Sequence, residues 1–334
     1  MVPNIAKYLP KLNAPKWMLG VGWAVVTTLL TNVALQRDDP EPQPGCGPIR
    51  VETRPPLYHD AEAARRFRAA AGQGDPEGQH NLALMHATGR GAPQDYAEAI
   101  RLHRLAAEQG YAPAQFSLGA LFRNSREGSG AIHLYRLAAE QGYAPAQAAL
   151  GSIYVNSEPP DYTEAVRVLR LAADQDDARA HRILASLYSR GDGVPLDLAM
   201  SIRLNCRATE LGDAFAPYIL GSMYAEGRRV PRDDGEAARF LHLAADRGEA
   251  LAQAQLGRMY EDGRGVPQDD AEAARLYRLA VRTGFGDIAF RLGTMYETGR
   301  GVPPDESEAV RLYRIAAAQG VRGSAAAIRR VGQH

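Results

Sequence analysis

The sequence predicts an all-α chain: a solenoid of about seven helix-turn-helix repeats, preceded by one transmembrane helix. Three observations carry this. A glycine-ended helix closes at Gly74, Gly110, Gly142, Gly212, Gly248, Gly284 and Gly320, with Asp176 where another glycine would fall. The intervals run 36, 32 and 34 residues and then 36 four times, a period typical of stacked helical arrays. Ahead of the array, residues 17–35 pass without a charge.

From the N-terminus, residues 1–16 read as a short tail with Lys7, Lys11 and Lys16 and no acidic residue. Residues 17–36 read as a membrane anchor. Its uncharged 19 residues would make a helix of about 28 Å, close to the bilayer hydrocarbon thickness. Trp17 and Trp23 are the only tryptophans, Trp17 sits where an interfacial anchor belongs, and Leu29 and Leu30 lie in the apolar stretch. A cleaved signal peptide is the rival, but the stretch is long for one and ends in a poor cleavage site. By the positive-inside rule the tail stays cytoplasmic. The expectation is a single-pass inner-membrane protein with its repeats in the periplasm, or in the intermembrane space if mitochondrial. Residues 37–57 hold Pro40, Pro42, Pro44, Pro48, Pro55 and Pro56, a density that favours an extended linker.

The solenoid is assigned to residues 58–334, with capping half-repeats at 58–74 and 321–334. Residues 249–284 show the unit best: helix A, a turn at Gly263-Arg264-Gly265-Val266-Pro267, then helix B. Gly263 and Gly265 supply unusual backbone angles, Pro267 stops helix A, and Asp269 or Asp270 can cap helix B. In helix A one column is always leucine: Leu82, Leu118, Leu150, Leu184, Leu220, Leu256 and Leu292. The next is only Gly or Ala: Ala83, Gly119, Gly151, Ala185, Gly221, Gly257 and Gly293. Small residues there let helices approach closely, and the rings at His86, Phe122, Tyr154, Tyr188, Tyr224, Tyr260 and Tyr296 fill the next gap. Helix B adds an alanine column from Ala106 to Ala316. These columns are structural.

The pattern LGxMY, GxGVPxD and EAxRLYRLAAEQG resembles the Sel1-like repeats, relatives of tetratricopeptide repeats. The resemblance implies a right-handed superhelix of paired antiparallel helices that serves as a protein-binding platform. Between Gly110 and Asp176 the GxGVPxD turn is missing, and the shortened turns should alter local curvature.

Chemistry is sparse. Lys plus Arg (39) balance Asp plus Glu (39), so no global field favours nucleic acid. The eight histidines lack HxxxH or HxxH spacing, so no metal is expected. The Gly-rich turns lack the GK[ST] ending of a phosphate loop, and no GxSxG elbow is present, so no catalytic residue and no cofactor is assigned. Cys46 and Cys206 do not look like a disulfide framework, though one bridge between them stays open. Arg101, Arg167, Arg203, Arg239, Arg275 and Arg311 form a basic line, but Glu98, Glu164, Glu236, Glu272 and Glu308 stand three residues earlier, in salt-bridging register. A solvated, paired face is expected.

A partner surface is sought in columns that vary. In the tetratricopeptide-like arrangement helix A lines the concave face. One such column reads His80, Phe116, Ala148, Arg182, Tyr218, Ala254 and Phe290. With neighbours on that face, the expected partner-binding residues are Phe116, Arg123, Arg182, Phe215, Tyr218, Arg258 and Phe290, because aromatic and Arg residues make interface hot spots. The expected role is a non-catalytic, membrane-anchored scaffold, an accessory or assembly subunit of an inner-membrane protein complex. The alternative is a transient periplasmic adaptor in secretion, envelope assembly or signalling.

Overall fold

The computed structural model describes residues 61–123, 128–228 and 230–332. Among them are sixteen α-helices and no strand. A leading helix α1 (Ala61–Gly72) is followed by seven antiparallel pairs: α2 (Pro76–Thr88) with α3 (Tyr96–Glu108), α4 (Ala112–Phe122) with α5 (Gly128–Glu140), α6 (Ala144–Val155) with α7 (Tyr162–Ala173), and α8 (Ala178–Arg190) with α9 (Leu198–Glu210). Then come α10 (Ala216–Glu226) with α11 (Asp234–Asp246), α12 (Ala250–Asp262) with α13 (Asp270–Val281), and α14 (Gly286–Thr298) with α15 (Glu306–Ala318). The trailing helix α16 (Ser324–Val331) closes the stack on α15, as α1 opens it on α2. Each helix otherwise packs on its chain neighbours, as a solenoid requires.

Local chemistry sets the helix ends. Six of the second, or B, helices start at an aspartate whose carboxylate accepts an N–H three residues on: Asp95 from Glu98, Asp161 from Glu164, Asp197 from Met200, Asp233 from Glu236, Asp269 from Glu272 and Asp305 from Glu308, at 2.8–3.0 Å. The backbone N–H of the same aspartate donates to the carbonyl of the ring-bearing column, as from Asp269 to Tyr260 at 3.0 Å, and so pins the turn to helix A. At the other end Gly110 has φ +83°, and the N–H of Tyr111 donates to the Ala106 carbonyl at 3.1 Å, which satisfies an otherwise orphaned acceptor. Asp176 adopts the same left-handed backbone at φ +60°.

The core follows the columns. All seven leucines are at most 5 % exposed, and the B-helix alanines are fully buried. The Gly/Ala column is matched in size to what it faces. A Cβ on Gly119, Gly257 or Gly293 would meet the ring of Tyr135, Tyr277 or Tyr313 at 2.9, 2.5 and 2.9 Å, and on Gly151 or Gly221 the side chain of Leu169 or Leu241. Where the column carries alanine, at Ala83 and Ala185, the facing register positions hold the smaller His103 and Asn205. Helix pairs thus keep one spacing by trading volume across the seam.

The turn does more than reverse the chain. Gly265 (φ +68°) lies so close to the preceding repeat that a Cβ there would sit 2.0 Å from the Asp234 carbonyl oxygen; for Gly301 the atom met is the Asp270 carbonyl carbon, at 2.3 Å. Between the paired glycines, Arg264 donates to Asp234 at 2.9 Å and Arg300 forms an ion pair with Asp270 at 3.2 Å. Arg232 and Arg264 together hold the Asp234 carboxyl down at about 2. Gly-Arg-Gly is therefore a staple between successive repeats.

One sequence expectation changes here. The anchor residues Trp17, Trp23, Leu29 and Leu30, and the linker at 37–57, lie outside the described residues. The expected inner-membrane localisation is corrected: among the described residues no helix is long and apolar enough to cross a membrane. The described helices have at most 13 residues, or about 20 Å, against the roughly 30 Å of a hydrocarbon core. Cys206, 7 % exposed in α9, is disulfide-bonded rather than free.

Candidate functional site: the face of the first helices

Helices two apart come close through first helices, α2 with α4 and α6 with α8, so these line the tighter side of the stack. On it, a cavity of about 440 Å³ spans three consecutive repeats, from Tyr218 in α10 through Leu251, Ala254 and Arg258 in α12 to Asp287 in α14. An adjoining cavity of about 370 Å³ shares Asp287 and continues past Phe290 to Val321. Further toward the N-terminus, a third of about 300 Å³ holds Phe116, Arg123, Tyr135 and Arg179.

The seven expected partner-binding residues fall into three groups. Tyr218 and Arg258 line one cavity. Phe290 stands in the next, and Phe116 with Arg123 in the third. Arg182 and Phe215 join the first group: the Arg182 guanidinium lies 5.7 Å from the Phe215 ring, whose centroid is 5.2 Å from that of Tyr218.

Their surroundings show why the column varies. His80, Ala148 and Ala254 are buried, and the others are half-buried between neighbours. Phe116 packs on Tyr135 and Tyr143, Phe290 packs on Tyr313, and Arg182 bonds Asp213 at 3.0 Å. The mixture is in part a packing solution between successive repeats.

Charges on this face are cross-linked toward the C-terminus. Arg258 pairs with Asp287. Glu261 accepts the Tyr277 hydroxyl at 2.7 Å and pairs with Arg291 and Arg300. Burial works against its ionisation, but the Tyr277 hydroxyl and the two guanidiniums outweigh it and hold the carboxyl below its ordinary value. One repeat on, Glu297 accepts from Tyr313 and pairs with Arg330 at 2.7 Å. On the B helices the basic line is paired as expected: Arg101, Arg167, Arg239, Arg275 and Arg311 each meet the glutamate three residues before at 2.6–2.9 Å. Such exposed pairs contribute little. Arg203 has Met200 in the acid's place. Among the described residues no group of three His, Cys, Asp or Glu is placed to hold a metal ion.

Sequence reasoning missed the carboxylate column at Glu261 and Glu297, and the buried amides. Gln115, Gln147 and Gln253, at most 7 % exposed, donate to the Ala107, Ala139 and Ala245 carbonyls in the last turns of α3, α5 and α11. The signal was a recurrent Gln three residues before the leucine column.

A family model described as Sel1 repeat matches residues 76–111, 112–143, 144–177, 178–213, 214–249, 250–284 and 288–321. A Sel1 repeat protein from Oxalobacter formigenes is 32 % identical, with a TM-score of 0.64, over 81 % of this chain and 82 % of that one. A protective antigen of uropathogenic Escherichia coli strains is 31 % identical, with a TM-score of 0.62, over 78 % of this chain; the match spans 57 % of the antigen. Yeast Tom70 shares the fold at 15 % identity, with a TM-score of 0.50, over 81 % of this chain and 59 % of Tom70. Among curated proteins none matches the chain in sequence.

Proposed function

The chain belongs to the Sel1 repeat family, and from that premise we propose that it is a non-catalytic scaffold that grips a protein partner along the face of its first helices. Repeat proteins of this kind generally mediate protein–protein interaction. The observation that carries the reading is the run of adjoining cavities from Tyr218 to Val321, lined mainly by first helices, where Tyr218, Leu251, Ile288 and Phe290 stand among charged side chains. Interface anchors are commonly Tyr, Trp and Arg set in such pockets, and Tyr218 and Arg258 stand at this one. The partner held there would be a subunit of a larger assembly, with this chain as an accessory or assembly factor.

Native gel electrophoresis of gently lysed source cells tests this. The chain is expected to migrate with a larger assembly, and Tyr218→Ala with Arg258→Glu to release it while the circular dichroism spectrum stays that of the parent. Migration of the parent chain alone, or of the variant with the same assembly, contradicts the reading.

A further inference from the structure

The N-terminal cavity lies three repeats before the C-terminal one in the same part of the fold, with Arg179 at the position that Asp287 holds there. Both run from the Phe116/Tyr218 column to a residue five positions before a leucine of the buried column: Arg179 before Leu184, and Asp287 before Leu292. A charge reversal also lies at the position five after the column leucine in the repeats that carry a buried tyrosine. Glu261 and Glu297 occupy it beyond Leu256 and Leu292; Arg123 occupies it beyond Leu118.

In the C-terminal repeats that carboxylate is the acceptor for the buried phenol, from Tyr277 to Glu261 at 2.7 Å and from Tyr313 to Glu297. Tyr135 is the same phenol, 2 % exposed, yet it faces two guanidiniums and no carboxylate: the cavity lining contains Arg123 and Arg179 and no acidic residue. Both arginines act electrostatically on the Tyr135 hydroxyl against the effect of its burial. Neither forms an ion pair among the described residues, whereas Arg258, Arg291, Arg300 and Arg330 on the same face all do. Phe116 and Ile153 give the cavity an apolar wall. A donor, two cations and an apolar wall, with the acceptor missing, describe the complement of one acidic side chain.

We propose that this cavity binds a glutamate or aspartate side chain of an extended partner segment, its carboxylate seated between Arg123 and Arg179 and accepting the Tyr135 hydroxyl as Glu261 accepts that of Tyr277. The proposal rests on the partner-binding reading of the first-helix face and adds to it the chemistry of the partner: an acidic residue next to an apolar one. The two guanidiniums would supply register along the groove, with the apolar neighbour filling the space beside Phe116.

The test uses the full chain, labelled with ¹⁵N, and three N-acetylated peptides: acetyl-Ala-Glu-Leu-amide, its Gln twin, and acetyl-Ala-Gln-Leu with a free C-terminus. The Glu peptide is expected to shift the Arg123 and Arg179 side-chain N–H resonances and the amides around Tyr135, and the two controls to leave them in place. Tyr135→Phe is expected to weaken binding several-fold. Arg123→Glu abolishes it without loss of fold, because it installs the carboxylate that repeats ending at Gly284 and Gly320 already carry. Equal shifts with the Gln twin, shifts with the free C-terminus alone, or shifts that survive Arg123→Glu each overturn the proposal. Should the Glu peptide fail while Tyr218→Ala with Arg258→Glu still releases the assembly, the acidic-residue site falls and the groove reading stands.

Discussion

Replacing Gly265 with valine is expected to destabilise the C-terminal repeats by about 3–5 kcal/mol, the range reserved for substitutions with a named steric cause. Two effects add. The backbone there has φ +68°, which costs a residue with a Cβ roughly 1–2 kcal/mol. The larger effect is crowding: the new Cβ would lie 2.0 Å from the Asp234 carbonyl oxygen and 2.4 Å from its carbon. Backbone atoms in the first turn of α11 cannot rotate aside as a side chain would, so the junction between repeats must open. Gly248→Ala is the control, because Gly248 has φ +85° but a Cβ there would meet nothing within 4 Å. It should lose only about 1–2 kcal/mol. Urea denaturation followed by circular dichroism distinguishes them; because repeats couple only to neighbours, the Gly265 variant should also split the transition. Equal losses at the two sites would contradict the close approach.

Acid is expected to loosen the N-terminal repeats first. The His80 and His103 rings lie tilted with centroids 5.1 Å apart, and burial lowers both to about 4; for His103 the neighbouring His80 adds to the effect. Neither Nδ1 atom has a hydrogen-bond partner. The unfolded chain binds protons at these rings near pH 6.5 and the folded chain only near pH 4, so stability falls as pH drops through that window. A shift from 6.5 to about 4 corresponds to about 3 kcal/mol per ring once pH reaches 4. Burial pushes His181 in the same direction, with Asp176 opposing. Carboxylates held below their ordinary values, such as Glu261 and Asp234, lose their contribution only at lower pH. His80→Phe with His103→Asn, residues that other repeats carry in those columns, should flatten the thermal midpoint of the first repeats between about pH 6.5 and 4.5. An unchanged slope in that variant would exclude the pair as its source.

Much of the fold was legible because each repeat solves one packing problem several times within one chain. The leucine, alanine and glycine columns needed no structure to be recognised as core, and Asp269 rather than Asp270 as the cap was a matter of one residue. What stayed hidden depends on contacts between repeats. Gly265 reads locally as a turn residue, and only its approach to Asp234 shows why a second glycine is needed. Arg264 and Arg300 look like solvated loop residues until the preceding B helix is placed beside them. The site was less legible than the fold, because a varying column suits two causes. Arg182 varies with Asp213 and Phe116 with Tyr143, so variation there reports packing partners as well as an open face. The charge inversion at Arg123 was present in the sequence, but its meaning needed the Tyr277–Glu261 bond as a template.

The central claim, that the face of the first helices is where a partner sits, is tested most directly by placing a photoreactive benzoylphenylalanine at Leu251, which lines the cavity of about 440 Å³, and separately at Arg275 on a B helix, then irradiating living source cells. The account predicts a discrete crosslinked product from position 251 and none from position 275. Crosslinking from 275 with none from 251 would place the partner on the opposite face and contradict it.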